Sequence, residues 1–334
     1  MAVTLAQAQV NVQDDVDYNV IDKYRRSSWL LDQLTFDDVV NPGTGGATLT
    51  YGYTRLVNAR QAAFRAINSE YAKGQATRVR ETADLVPLGG AFEVDRVIAD
   101  LGSSRTNEVT FQMEQLIEGA VNGFINQIVN GDTAVNANGF DGLDVMLTGT
   151  TTEMGTGASL NWTSATIDTQ DKAHGALDVL DEFMALINGG ADVLIGNLKS
   201  ITRVRSLARR AGYYTREEDA LGRVIERYGN TVLIDAGTVV ADGSTTETNV
   251  VPIETRDVDG GGAGGNITGL TDLYAVNFGL DAFHAASKVG PLLKTWLPDF
   301  STAGAVKTGE IEMVAAPALK NTTKAAVLRN VKVQ

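Results

Sequence analysis

The 334-residue sequence contains no cysteine, only two histidines, six prolines and 7% aromatic residues. The missing thiols exclude disulfides, thiolate metal centres and cysteine nucleophiles together. His174 and His284 stand far apart and neither belongs to a His-x-x-x-His spacing, so no metal-ligand pattern is present. There is no phosphate loop ending Gly-Lys-Ser/Thr and no Gly-x-Ser-x-Gly elbow. No apolar run approaches the roughly 20 residues that a membrane helix needs. The first residues, Met1 to Gln7, lack the basic and apolar regions of a signal peptide, so synthesis and use in cytoplasm are expected. Basic charge is also short: 28 Lys and Arg against 41 Asp and Glu give a net charge of -13. Nucleic acid and anionic membranes repel such a chain.

What remains is an aliphatic, glycine-rich chain, 43% hydrophobic with 35 glycines, long enough to bury a sizeable core. Its charge is unevenly spread. Residues 1–46 hold seven aspartates and three cations, with a short apolar patch at Trp29, Leu30, Leu31, Leu34 and Phe36, and end in the breaker cluster Asn41-Pro42-Gly43. That segment has too little apolar surface to fold alone and reads as an arm whose patch anchors on a partner. Residues 47–88 are basic: Arg55, Arg60, Arg65, Lys73, Arg78 and Arg80 outnumber Glu70, Glu81 and Asp84. Thr48–Thr54 and Ala76–Thr82 favour strand, which predicts a long β-hairpin closed by a polar connector.

A strand is expected over 91–99, with Phe92 and Val94 on one face and Glu93 and Asp95 on the other. A helix follows, because Val109, Met113, Leu116, Ile117, Ala120, Phe124, Ile128 and Val129 recur at steps of three and four. Thr106 or Asn107 is placed to cap it, Glu108, Glu114 and Glu118 line its polar side, and Gly131 stops it. The loop after it carries Asn138-Gly139-Phe140-Asp141-Gly142-Leu143. Further helices are predicted near 168–188 and 199–211, with strands over 192–196, 231–235, 250–253, 273–278, 310–315 and 325–333, an α+β class without internal repeat. Gly260–Gly265 satisfies a literal Gly-x-Gly-x-x-Gly, but Asn266-Ile267-Thr268-Gly269 does not open a helix, so a surface loop is expected there. Arg203, Arg205, Arg209 and Arg210 sit on a helix with an ordinary apolar stripe, which indicates a solvated or subunit-facing basic face.

Taken in order, these features resemble the major capsid proteins of tailed bacteriophages, the Hong Kong 97-type fold. The resemblance is carried by Leu85-Val86-Pro87-Leu88-Gly89-Gly90-Ala91-Phe92-Glu93-Val94-Asp95-Arg96, by Ile128–Asp132 with Asn138–Leu143, by Arg227–Ile234 and by the closing stretch from Gly309 through Val331. It implies an N-terminal arm (1–46), an extended β-hairpin loop over a neighbouring subunit (47–88), a peripheral domain with a long spine helix (89–132 and 276–334) and an axial domain (133–275). The implied function is self-assembly of hexamers and pentamers into an icosahedral phage head around double-stranded DNA, without enzymatic activity, metal or cofactor. Implied partners are many copies of the chain, a portal and decoration proteins. A separate scaffolding protein is also expected, since the sequence begins with Met1 almost at the arm. The implied location is the virion, assembled in the host cytoplasm. Lys73 is the one loop candidate for a crosslink of the kind some relatives form, and no acceptor is identifiable. Charge complementarity nominates Arg55, Arg60, Arg65, Lys73, Arg78 and Arg80 to meet Glu93, Asp95, Glu108, Glu114 and Glu118 of a neighbour, with Trp29 and Leu30 as apolar anchors. Two alternatives stand beside this reading: an encapsulin-type cellular shell, and a soluble α/β enzyme using the Gly260–Gly265 loop.

Overall fold

Two sheets and one long helix share a continuous core. The computed structural model describes residues 29–40, 49–58, 60–101, 108–212, 214–218, 224–240, 246–258, 265–289 and 293–334. The proposed caps at Thr106 and Asn107 lie outside these residues, as do most of the acidic arm and most of the Gly260–Gly265 loop.

The first sheet has five strands built around the 14-residue strand Val306–Leu319. Val86–Asp95 pairs antiparallel along one side of it, from Val306 opposite Asp95 to Ala315 opposite Val86. Phe283–Lys288 and Leu293–Trp296 pair along the other side, and Phe36–Val40 adds parallel to Phe283–Lys288. Leu88, Gly90, Phe92 and Val94 turn to the more buried side of their strand. A β-carbon at Gly90 would come within 2.7 Å of Leu116 Cδ1, so that face meets the helix Glu108–Asn130 closely. The strand expected over 91–99 thus starts earlier and stops at Asp95. The Asp95 carboxylate accepts a hydrogen bond of 2.8 Å from the Val97 amide and starts the short helix Arg96–Leu101.

The spine helix runs Glu108–Asn130 and buries Met113, Phe124, Ile125, Ile128 and Val129. Its end explains the glycines of the following loop. The Gly131 amide donates to Gln127 O at 2.9 Å, and the Gly142 amide donates to Gly131 O at 2.8 Å. A β-carbon at Gly131 would come within 2.3 Å of Phe140 O, and one at Gly142 within 2.7 Å of Gln127 O. Backbone packs on backbone here, and only glycine leaves room. The loop between folds on itself: Asp141 accepts from both the Thr133 amide and hydroxyl. Phe140 then reaches back edge-on to Phe124, ring centroids 5.8 Å apart.

The second sheet has nine strands. Its spine runs Glu153–Met154, Ala325–Lys332, Asn266–Val276, Val193–Gly196, Thr231–Asp235, Val224–Tyr228 and Tyr214–Glu218. Alternation sorts its side chains between two cores. Val193, Ile195, Val232, Ile234, Tyr274 and Val276 face the spine helix and the first sheet. Leu194, Leu233, Leu273 and Ala275 face the helices Gln170–Ala185 and Leu198–Ala211. The last helix is capped at both ends. The Asn197 side chain accepts from the Ser200 amide at 2.9 Å, and Gly212 takes φ +79°.

The closing strand corrects one expected boundary. Ala325–Lys332 pairs with Asn266–Val276 in the second sheet, so 276–334 is not wholly peripheral. Its continuous apolar run, Ala325-Ala326-Val327-Leu328, suits a strand covered on both faces, as it is in the second sheet. Likewise 86–88 belong to the first sheet, and the hairpin proper ends at Asp84.

Candidate functional site: an extended loop without a covering body

The hairpin Thr50–Asn58 and Thr77–Asp84 leaves the first sheet as a separate two-stranded ribbon. Its two faces differ. Cross-strand pairs put Tyr51 with Ala83, Tyr53 with Glu81 and Arg55 with Val79 on one face. Near the root this face lies on the chain's own body: Tyr51 is buried, and Tyr53 and Arg55 are half-buried. The other face pairs Gly52 with Thr82, Thr54 with Arg80 and Leu56 with Arg78, and it is exposed except where the root meets the body. Glycine at position 52 lets Arg80 fold back, since a β-carbon there would stand 3.1 Å from its guanidinium.

The predicted basic residues fall into two groups. Arg55 is an internal clamp: Nη2 donates to Leu319 O at 2.7 Å, Nε to Lys320 O at 3.3 Å, and Nη1 lies 3.6 Å from Glu81. Arg65 is also internal to its loop. It donates to Ala66 O and Ser69 O, each at 3.2 Å, and its guanidinium sits 5.1 Å over the Tyr71 ring. Arg60, Lys73, Arg78 and Arg80 are exposed, and among the described residues no ion pair includes them.

The acidic set is less available than charge alone suggested. Glu108 is only 4% exposed and accepts from Gln112 Nε2, so burial removes it from any docking face. Asp95 is held by the Val97 amide, and Glu118 is half-buried. Glu93 and Glu114 are exposed, but Glu93 points off the sheet face opposite the spine helix, so the two do not form one patch. Leu30 is 3% exposed inside the chain's own core with Leu34, because the short helix Trp29–Gln33 folds back onto the body. It is therefore not a free anchor. The Trp29 side chain lies outside what is described. Three of the four arginines of the helix Leu198–Ala211 also bind within the chain: Arg203 donates to Val333 O, Arg210 to Ile167 O, and Arg205 pairs with Glu226, whereas Arg209 is exposed.

The expected polar connector instead carries the two most exposed large apolar side chains among the described residues. Phe64 is fully exposed, and Ile67 and Tyr71 are 91% and 59% exposed, with Leu56, Val57 and Val79 open along the ribbon. Three such residues on one preformed turn are not scattered surface apolars. The signal was legible in principle: Phe64, Ile67 and Tyr71 lie between two strands with no partner strand to cover them.

Among the described residues the dense cluster of charge around Arg329 is structural. Arg329 pairs with Asp144, with Glu153 at 2.9 Å and with Asp272 at 3.2 Å, while Arg256 grips Asp272 through both oxygens at 2.7 and 2.9 Å. Tyr274 donates to Asp144, and burial followed by that carboxylate raises its pKa far above the usual phenol range. Its carboxylates are held by arginines and hydroxyls, and no nucleophile stands beside them, so the cluster ties the closing strand to the second sheet. Among the described residues no group of His, Asp and Glu is placed to hold a metal ion. A strand, Asn266–Val276, follows Gly265 where a dinucleotide site needs a helix.

No family model matches the chain, and no curated protein does either. Solved structures do. The holo-SrpI encapsulin complex of Synechococcus elongatus PCC 7942 superposes with TM-score 0.63 at 14% identity, over 100% of this chain and 97% of that one. The capsid of a native GTA particle follows at TM-score 0.58 and 13% identity, over 92% and 91%. The Mycobacterium phage Adephagia structure gives TM-score 0.55 and 13% identity, over 100% and 99%. The chain has the Hong Kong 97-type capsid fold. No helix among the described residues is long and apolar enough to cross a membrane.

Proposed function

We propose that this chain is the major capsid protein of a tailed bacteriophage, assembling as hexamers and pentamers into a closed shell around double-stranded DNA. One observation carries the reading: the capsid fold spans the whole chain and holds out a loop whose apolar tip the chain itself leaves uncovered. A second copy is the natural cover. Burying Phe64 and Ile67 contributes about 1.5–3 kcal/mol each. Each exposed pair made by Arg60, Arg78 or Arg80 adds only about 0–1 kcal/mol. The tip therefore supplies the affinity, and the arginines steer and register the contact. Contacts this weak, repeated across many copies, let misplaced subunits leave and rebind.

The remaining assignments belong to the same proposal. A separate scaffolding protein, a portal and decoration proteins are the other partners, the virion is the destination and the host cytoplasm the place of assembly. The net charge of -13 lets packaged DNA lie against the shell without sticking. Lys73 is exposed on the loop, and its crosslinking is open to mass spectrometry of assembled shells. A cellular cargo compartment is the second reading, favoured by the full-length superposition on an encapsulin. Electron microscopy of purified protein tests the shared claim. Closed shells support it, and a monodisperse monomer under every condition opposes it. Terminase and portal genes beside this one select the phage reading, and a cargo-enzyme gene selects the compartment.

A further inference from the structure

We propose that His284, Tyr51 and Asp37 form an acid-sensitive latch that fastens the root of the extended loop to the first sheet and releases it when His284 takes up a proton.

Three separate segments meet at this point. Asp37 belongs to the strand Phe36–Val40, Tyr51 to the first strand of the loop, and His284 to the strand Phe283–Lys288. The Tyr51 hydroxyl donates to Asp37 Oδ2 at 3.0 Å. Its oxygen then accepts from His284 Nε2, 3.3 Å away, which fixes the tautomer with hydrogen on Nε2. The two rings stand edge to face at 5.7 Å. His284 has no exposed surface, and Tyr51 is part of its cover. Nδ1 is left bare and buried, without a hydrogen-bond partner.

A proton on Nδ1 would therefore be a buried donor with no partner in the closed root beyond what the Ala282 carbonyl can give, next to another cation. Lys320 lies 5.5 Å over the Tyr51 ring. Burial first and Lys320 second hold the His284 pKa below its ordinary value, outweighing the Ala282 carbonyl and the carboxylates of Asp37 and Asp281. The closed root refuses the proton, whereas an opened root exposes an ordinary imidazole. A depressed pKa in the closed form means that latch stability is complete above about pH 6.5 and is lost as pH falls below it. Arg55 grips Leu319 O and Lys320 O nearby and does not titrate, so acid weakens the root without unfolding the ribbon.

The latch belongs to the single chain. Only its use in timing shell formation rests on the capsid reading, so the test is made on unassembled protein and the two can fail separately. The absence of native cysteine makes clean labelling possible. Two dyes on Ser69→Cys at the loop tip and Thr202→Cys on the helix Leu198–Ala211 report loop position by energy transfer. The ratio of open to closed loop is expected to rise between about pH 7.5 and about pH 5.5, with about tenfold as the ceiling for one proton. In His284→Gln, which keeps an N–H donor for Tyr51 but cannot titrate there, the ratio should stay flat. An unchanged ratio in the parent chain, or an equal rise in His284→Gln, overturns the proposal. An NMR titration of the unsubstituted chain needs no variant, because exposed His174 is the only other imidazole. His284 titrating at or above the ordinary imidazole value of about 6.5 would also overturn it.

Discussion

Arginine does opposite jobs in the two halves of this molecule. In the nine-stranded sheet Arg329 is enclosed by Asp144, Glu153 and Asp272, and Arg256 grips Asp272 again, so the charge is used up inside the chain. In the extended loop Arg78 and Arg80 stand on an exposed strand face, and the apolar tip beyond them is uncovered. The body is finished as a single chain and the loop is not. The difference lies in burial more than in residue type: in each half the arginine that reaches a carbonyl or carboxylate of its own fold, Arg55 included, has left the assembly surface.

That contrast can be broken from either side. Arg329→Met should destabilise the isolated chain by about 3–5 kcal/mol, because the buried Glu153 carboxylate loses its cation and buried Asp272 keeps only Arg256. Phe124→Ala should have an effect of similar size, about 3–5 kcal/mol, from the cavity left against Phe140 and Phe36. Denaturant titration of unassembled protein reads both. In the loop the pattern should invert. Phe64→Ser with Ile67→Ser should change the isolated chain's stability by no more than about 0.5 kcal/mol and yet abolish assembly, seen by sedimentation. Arg78→Glu with Arg80→Glu should do less: about 0–1 kcal/mol per pair, seen as a higher protein concentration needed for assembly and a weaker dependence on salt. Equal effects of the two loop variants would erase the distinction drawn between tip and ribbon.

The sequence carried the elements better than their surroundings. The spine helix was legible because its apolar residues recur over six turns, and the ribbon because Thr50–Thr54 and Thr77–Thr82 favour strand. The interlocked glycines were visible as glycines, but the Gln127 and Phe140 carbonyls that demand them at Gly131 and Gly142 close on them only once the loop folds back on the helix end. Long-range pairing was the weaker part. Nothing local in Ala325–Lys332 says which sheet it joins, since an apolar strand suits any site covered on both faces. Charge was least reliable. Glu108 reads as polar helix surface and is buried, and Arg55 and Arg65 read as docking cations and are ties within the chain. A charge pattern gives composition, whereas availability depends on which carbonyls and rings the fold brings within reach.

The central claim is that the loop tip is half of an interface between copies. The most direct test is electron microscopy of the purified chain beside its Phe64→Ser, Ile67→Ser variant, both first shown to be folded by circular dichroism. Closed shells from the parent and dispersed subunits from the variant are the expected result. Shells of normal form from the variant would contradict the role given to the tip.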